Sequence, residues 1–229
     1  EFVSLVNAGS SGRPGPVFIE LCLDAQGAPT LKEDTVLVEP QGNAVASETE
    51  IDLVVTQLKS AQRPILLIGG GVSRNAARAL QTELTSSGIP VMTTWNAADR
   101  VDAAHPSYLG RPNTWGQRAA NLLVAQADLI IAVGTRLGMQ QTGFNWQQFG
   151  RNAFVVHVDI DRAELDKGHP KIDLPVCADA DDFLTRLLPK VRGDWETWVS
   201  YAQDVRNALP LNDPANETGN GFISPFDFY

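Results

Sequence analysis

Short, predominantly apolar runs alternate along this chain with stretches whose apolar residues recur every three or four positions. A strand that is apolar on both faces is covered on both faces, which is the signature of a parallel sheet between helical layers. The runs are Ile65-Leu66-Leu67-Ile68, Val91-Met92-Thr93-Thr94-Trp95, Leu129-Ile130-Ile131-Ala132-Val133, Ala153 to Val158 and Leu174-Pro175-Val176-Cys177. An earlier one, Val17 to Leu21, follows the turn signal Gly12-Arg13-Pro14-Gly15-Pro16. The expected fold is α/β: a Rossmann-like, doubly wound parallel sheet in three α/β/α layers, with about six strands. Pro175 marks its run as an edge or the start of a strand.

Between these runs the periodicity is helical. One helix follows residue 50 with Ile51, Leu53, Val54 and Leu58 on its face, and Arg63-Pro64 stops it. A second runs from about Ser73 to Ser86. A third is capped by Asn113 or Thr114 and carries Ala119, Leu122 and Leu123. A fourth, Asp179 to Leu188, turns Phe183, Leu184 and Leu187 inward. Residues 1–11 read as the end of a helix, and 24–49, with Gly27, Pro29, Pro40 and Gly42, as a linker. The layered domain then spans 50–190, and 191–229 is a helix followed by a linker. In that helix Trp195, Trp198, Tyr201 and Val205 form a stripe expected to pack on a neighbouring domain, with Phe226, Phe228 and Tyr229 similarly exposed. The chain does not begin with Met, and both ends read as interrupted.

A net charge of −9 argues against nucleic-acid binding, because an acidic surface repels phosphate backbones. No apolar run is long enough to span a membrane, and the first residues lack a basic leader region. Cys22 and Cys177 are far apart with no CxxC, which suits two reduced, buried thiols in a cytoplasmic protein. Built-in catalysis is poorly supported. His105, His157 and His169 are scattered, and GxSxG and HxxxH are absent. Asp179, Asp181 and Asp182 open a helix, where its dipole favours carboxylates, so they read as structural.

In an open parallel sheet, ligands bind outside the carboxyl ends of the strands. Gly69-Gly70-Gly71 either lets backbone approach a phosphate or serves a tight turn. Arg136, in Gly134-Thr135-Arg136, meets an anion or an interdomain carboxylate. Asp161 reads as a helix cap, and Asp159 stays open as a ribose partner.

Taken in order, GRPGPVFIEL, RPILLIGGGVSRN, GIPVMTTWNAADRVDAAHPSYLGR, ADLIIAVGTRLG and FVVHVDIDRAEL resemble thiamine-diphosphate enzymes of the acetolactate synthase branch. The resemblance covers roughly residues 12–190. It implies that 1–23 is the tail of a pyrimidine-binding domain, 50–190 the central domain, and 191–229 the way into a pyrophosphate-binding domain. It implies a parent enzyme acting on 2-oxo acids with thiamine diphosphate and magnesium, as a homo-oligomer. The glutamate that activates thiamine is expected before residue 1 and the GDG…N motif after residue 229, so this stretch alone is expected to be inactive. Flavin-containing members imply an FAD or ADP site at Gly69, Gly70, Gly71, Thr94, Gly110, Gly134, Thr135, Arg136, Asp159, Ile160 and Asp179. The chain departs from that pattern at Gly110-Arg111-Pro112-Asn113 and at Gly138-Met139-Gln140. The alternatives are a stand-alone Rossmann-like module binding FAD or NAD, and an interaction domain with a vestigial pocket.

Overall fold

The computed structural model describes residues 2–29, 44–211 and 217–223, in two compact units, Glu1–Ala44 and Val45–Tyr229. The first holds α1 (Phe2–Ser10) and α2 (Leu23–Gln26). The turn after α1 is closed by Gly15 N–H donating to Gly9 O at 2.9 Å. The expected strand over Val17–Leu21 does not form: the segment has no ladder partner among the described residues, and Val17, Phe18 and Leu21 are exposed. Strand backbone must pair, and unpaired extended chain is left to water. Cys22 is exposed as well, against the expectation of a buried thiol, while Cys177 is half-buried; both are free.

The second unit runs α3 (Glu48–Ser60), β1 (Pro64–Ile68), α4 (Arg74–Ala79), α5 (Gln81–Ser87), β2 (Val91–Thr93), α6 (Arg118–Gln126), β3 (Leu129–Val133), α7 (Met139–Thr142), β4 (Phe154–Asp159), α8 (Arg162–Asp166), β5 (Leu174–Cys177), α9 (Ala180–Leu187) and α10 (Glu196–Ala208). Among the described residues the sheet has five strands, where about six were expected, all parallel in the order β2-β1-β3-β4-β5. Every residue of β1, β2 and β3 is buried, as their unbroken apolar runs require. The step from β1 to β2 runs opposite to that from β2 to β3. Right-handed crossovers therefore put α4 and α5 on one face and α6 on the other, giving three layers. β5 is one of the two edge strands, and Pro175 lies in it opposite His157.

Local chemistry sets the element ends. Ser47 accepts from Glu50 N–H while the Glu50 carboxylate accepts from Ser47 N–H, a reciprocal cap that starts α3. Ile51, Val54 and Leu58 form its buried stripe; Leu53, assigned to that face from sequence, is 46 % exposed. The helix expected over Ser73–Ser86 is split at Leu80, whose backbone takes φ −93° and ψ 7° while its side chain stays buried. α6 begins at Arg118, not at a cap on Asn113 or Thr114. Those residues are otherwise engaged: Asn113 Oδ1 accepts from Trp115 N–H, and Thr114 N–H donates to Gln140 O.

The aromatic stripe of α10 packs on the chain's own core, contrary to the expected interdomain role. Trp195 and Trp198 are 7 % and 4 % exposed. Their indole N–H groups donate to Ala61 O (2.9 Å) and Pro64 O (3.2 Å), just before and at the start of β1. Tyr201 stacks on Trp198 and stays half-exposed. Phe226, Phe228 and Tyr229 lie outside the described residues, as do Pro40 and Gly42 of the expected linker. Among the described residues no helix is long and apolar enough to cross a membrane.

Candidate functional site

The strand order makes a switch point between β1 and β3, and the crevice outside such a point is where open parallel sheets hold ligands. Gly69-Gly70-Gly71 leaves β1 there, and Gly134-Thr135-Arg136 leaves β3 beside it. The two loops touch backbone to backbone. Gly71 N–H donates to Gly134 O at 2.8 Å, and Gly69 N–H to Val133 O at 2.8 Å. A Cβ on Gly69 would lie 2.2 Å from Gly134 O, and one on Gly71 would lie 2.8 Å from Gly134 Cα. Loop-to-loop packing therefore suffices to require these two glycines. Gly134 N–H and Val72 N–H are bonded too, to Val158 O and Gly69 O. The next amide, Ser73 N–H, donates to Asp181 Oδ1 at 2.8 Å. An internal carboxylate thus occupies the approach to α4. Of the triple-glycine amides only Gly70 N–H has no partner among the described residues.

Thr94 extends β2 by donating its N–H to Ile68 O, and its residue is buried. Gly110 lies beside the same strand end, accepting from Thr93 N–H at 3.2 Å. Its φ of +106° favours glycine, and a Cβ there would displace the Gln117 Oε1 that lies 2.2 Å away. Arg136 is exposed, and its guanidinium has no ion pair or hydrogen bond among the described residues. Leu137, next in the chain, is fully buried at φ +48°, a strained conformation for a residue with a side chain. That backbone tucks Leu137 into the core directly after the outward-facing Arg136.

Asp159 ends β4 and is buried; its Oδ1 accepts from Asp161 N–H, while Oδ2 lies 4.0 Å from His157 Nε2. Ile160 O receives the Cys177 thiol at 3.7 Å. Asp161 caps α8 by accepting from Ala163 N–H, and Asp179 caps α9 by accepting from Asp181 and Asp182 N–H. Their carboxylates already serve the fold. Among the described residues no group of three or more His, Cys, Asp or Glu could hold a metal ion.

All eleven residues picked from sequence gather at the carboxyl edge of the sheet, but unevenly. The glycines and Thr94 ring the switch point, with Gly110 beside the end of β2. Asp159 and Ile160 lie at the end of β4, the strand next to β3, and Asp179 follows β5 at the sheet edge. Sequence reasoning missed several neighbours. Arg100 is buried, with Nε on Val72 O at 2.6 Å, behind the glycine turn, and it pairs with Asp99, which also holds Arg74. Asp181 reaches Ser73 across 108 positions of sequence, which no local pattern reveals. Trp95 and Trp115 come together at 6.1 Å between ring centroids, although 51 % and 63 % exposed. At the other end of the sheet a hollow of about 210 Å³ is lined by Lys59, Lys190, Arg192 and Trp195. Glu48 and Asp52 already neutralise its Lys190.

A family model described as "Thiamine pyrophosphate enzyme, central domain" matches residues 51–187, from α3 through α9. Acetolactate synthase isozyme 1 large subunit of Escherichia coli (strain K12) is 35 % identical over 210 residues, covering 89 % of this chain and 36 % of that protein. Acetolactate synthase of Mycobacterium bovis is 31 % identical over 227 residues, covering 94 % and 36 %. Isozyme 2 of Escherichia coli reaches 37 % over 163 residues, 69 % of this chain and 28 % of that one. The chain spans about a third of the length of the curated relatives it matches.

Proposed function

This chain belongs to the family of thiamine pyrophosphate enzyme central domains, and from that premise we propose that it is the middle domain of an acetolactate synthase-like enzyme acting on 2-oxo acids. The observation that carries the reading is a five-stranded parallel domain that coincides with the matched span, inside relatives about three times as long. Thiamine diphosphate and magnesium then belong to segments outside this chain, and no residue here is assigned to either. The parent is a cytoplasmic homo-oligomer in this reading, and residues 1–23 and 191–229 lead to its flanking domains. A stand-alone nucleotide-binding module has less support, since each relative runs far beyond the shared span.

The crevice at the β1/β3 switch point is proposed as a nucleotide site, of the FAD or ADP kind. Its fit rests on three features: the free Gly70 amide, the unpaired Arg136 guanidinium and the position of both at the strand ends. Bidentate donors of that kind suit phosphate oxygens. Asp181 at Ser73 N–H keeps a phosphate from the start of α4, so the diphosphate lies toward Gly70 and Arg136. The test of the whole reading is an assay of the intact protein with thiamine diphosphate, magnesium and a panel of 2-oxo acids. Carbon–carbon bond formation or decarboxylation dependent on thiamine diphosphate is the expected result. Failure with every 2-oxo acid would overturn the reading.

A further inference from the structure

Burying an indole removes a large apolar surface from water, so two adjacent tryptophans held half in solvent forgo a substantial stabilisation. Trp95 and Trp115 do so on loops that are firmly tied. Trp95 follows Thr94, whose N–H is bonded to Ile68 O at the end of β1. Trp115 N–H is held by Asn113 Oδ1, while Thr114 N–H and its hydroxyl both reach Gln140 O. Gln141 Nε2 closes the same loop on Pro112 O at 2.6 Å. The indoles are thus presented, not left over from a loose segment. Their place is also particular. Asn96, next to Trp95, packs on Gly70, where a Cβ would lie 3.0 Å from Asn96 Cβ. The loop bearing Trp115 carries Arg111, and it is tied to α7, which follows the loop carrying Arg136. Neither guanidinium has an ion pair among the described residues, in a chain of net charge −9. An aromatic surface flanked by two unpaired cations and one free amide, at the mouth of a switch-point crevice, suits a ligand that is flat and heteroaromatic at one end and anionic at the other.

We propose that Trp95 and Trp115 form a stacking platform that selects the heteroaromatic ring of a nucleotide whose diphosphate lies toward Gly70 and Arg136. The inference rests on the nucleotide reading above and adds to it the residues that recognise the ring. At 6.1 Å the two indoles are in direct contact, so the ring stacks on an outer face of the pair and does not insert between them.

The test is titration of the full 229-residue chain with ADP and with FAD, in separate arms, followed by tryptophan fluorescence and calorimetry. Trp95→Leu and Trp115→Leu are compared with Trp95→Phe and Trp115→Phe, and with Arg136→Ala. Both indoles are exposed, so thermal melts of the Leu variants should match that of the parent chain, which certifies folding. Quenching on binding is expected, with affinity about tenfold weaker in each Leu variant and largely restored by Phe, the usual scale for loss of a stacked ring. Dependence in the ADP arm assigns adenine to the platform; dependence in the FAD arm alone assigns the isoalloxazine. Nucleotide binding that Arg136→Ala abolishes but the Leu variants leave intact would overturn this inference and keep the nucleotide site. Leu variants that change only the self-association of the chain would reassign the pair to a protein interface and overturn it too. No binding of either nucleotide to the parent chain would remove the nucleotide reading itself.

Discussion

His157 is fully buried on β4 and donates from Nε2 to Thr135 O at 2.8 Å, while its Nδ1 has no partner among the described residues. That arrangement fits the neutral ring with the proton on Nε2. A second proton would place a buried, unpartnered N–H and a charge beneath the Gly134–Arg136 loop. Burial holds the imidazole pKa below its ordinary value, outweighing the Thr135 carbonyl and the Asp159 and Glu164 charges that favour protonation; Lys167 acts in the same sense as burial. A base with a depressed folded-state pKa contributes its full stability above the unfolded value of about 6.5 and loses it as pH falls through the folded value. Melting temperature should therefore fall as pH drops below about 6.5. His157→Gln should flatten that slope by removing the titration; an unchanged slope would assign the pH dependence to other groups. At this scale sequence reading was uneven. The Asp161 cap was legible because a capping carboxylate acts on residues beside it. The roles of Gly69 and Gly71 were not, because they depend on Gly134, far along the chain and brought close only by the sheet.

Elements were the most legible level wherever the chain's own pattern decides the outcome. β1, β3 and β4 lie within a residue of their apolar runs, and α9 buries Phe183, Leu184 and Leu187 as its spacing requires. The errors share a cause. Val17–Leu21 has the composition of a strand but no partner among the described residues of its unit, and α6 starts late because Asn113 and Thr114 bond elsewhere. The α10 stripe was visible, but spacing cannot say which surface it covers. Both indole N–H groups on chain before and at β1 show that Trp195 and Trp198 close the core from below. Gly193 belongs to that contact, since a Cβ on it would lie 2.3 Å from the Trp195 ring. Trp198→Ala should cost about 3–5 kcal/mol, the range for deleting a buried aromatic side chain. Denaturant unfolding of the chain reads this directly. A loss below about 1 kcal/mol, the scale of a surface substitution, would return α10 to the role of a loosely held docking helix.

For the molecule as a whole, the parallel α/β architecture followed from residues 50–190, and the family match falls on the same stretch. The ligand was not legible to the same degree, because a switch-point crevice is a property of the fold and is filled differently by each sequence that adopts it. Here the glycines, Asp161, Asp179 and Asp181 are largely engaged in holding loops and helix starts, leaving Gly70, Arg136 and the indole pair facing outward. In the proposed reading such a domain is a scaffold that positions chemistry carried by other segments. The most direct measurement is carbon dioxide release from pyruvate by the purified 229-residue chain, supplied with thiamine diphosphate and magnesium. The account predicts no release above the protein-free rate; sustained turnover by this chain alone would contradict it.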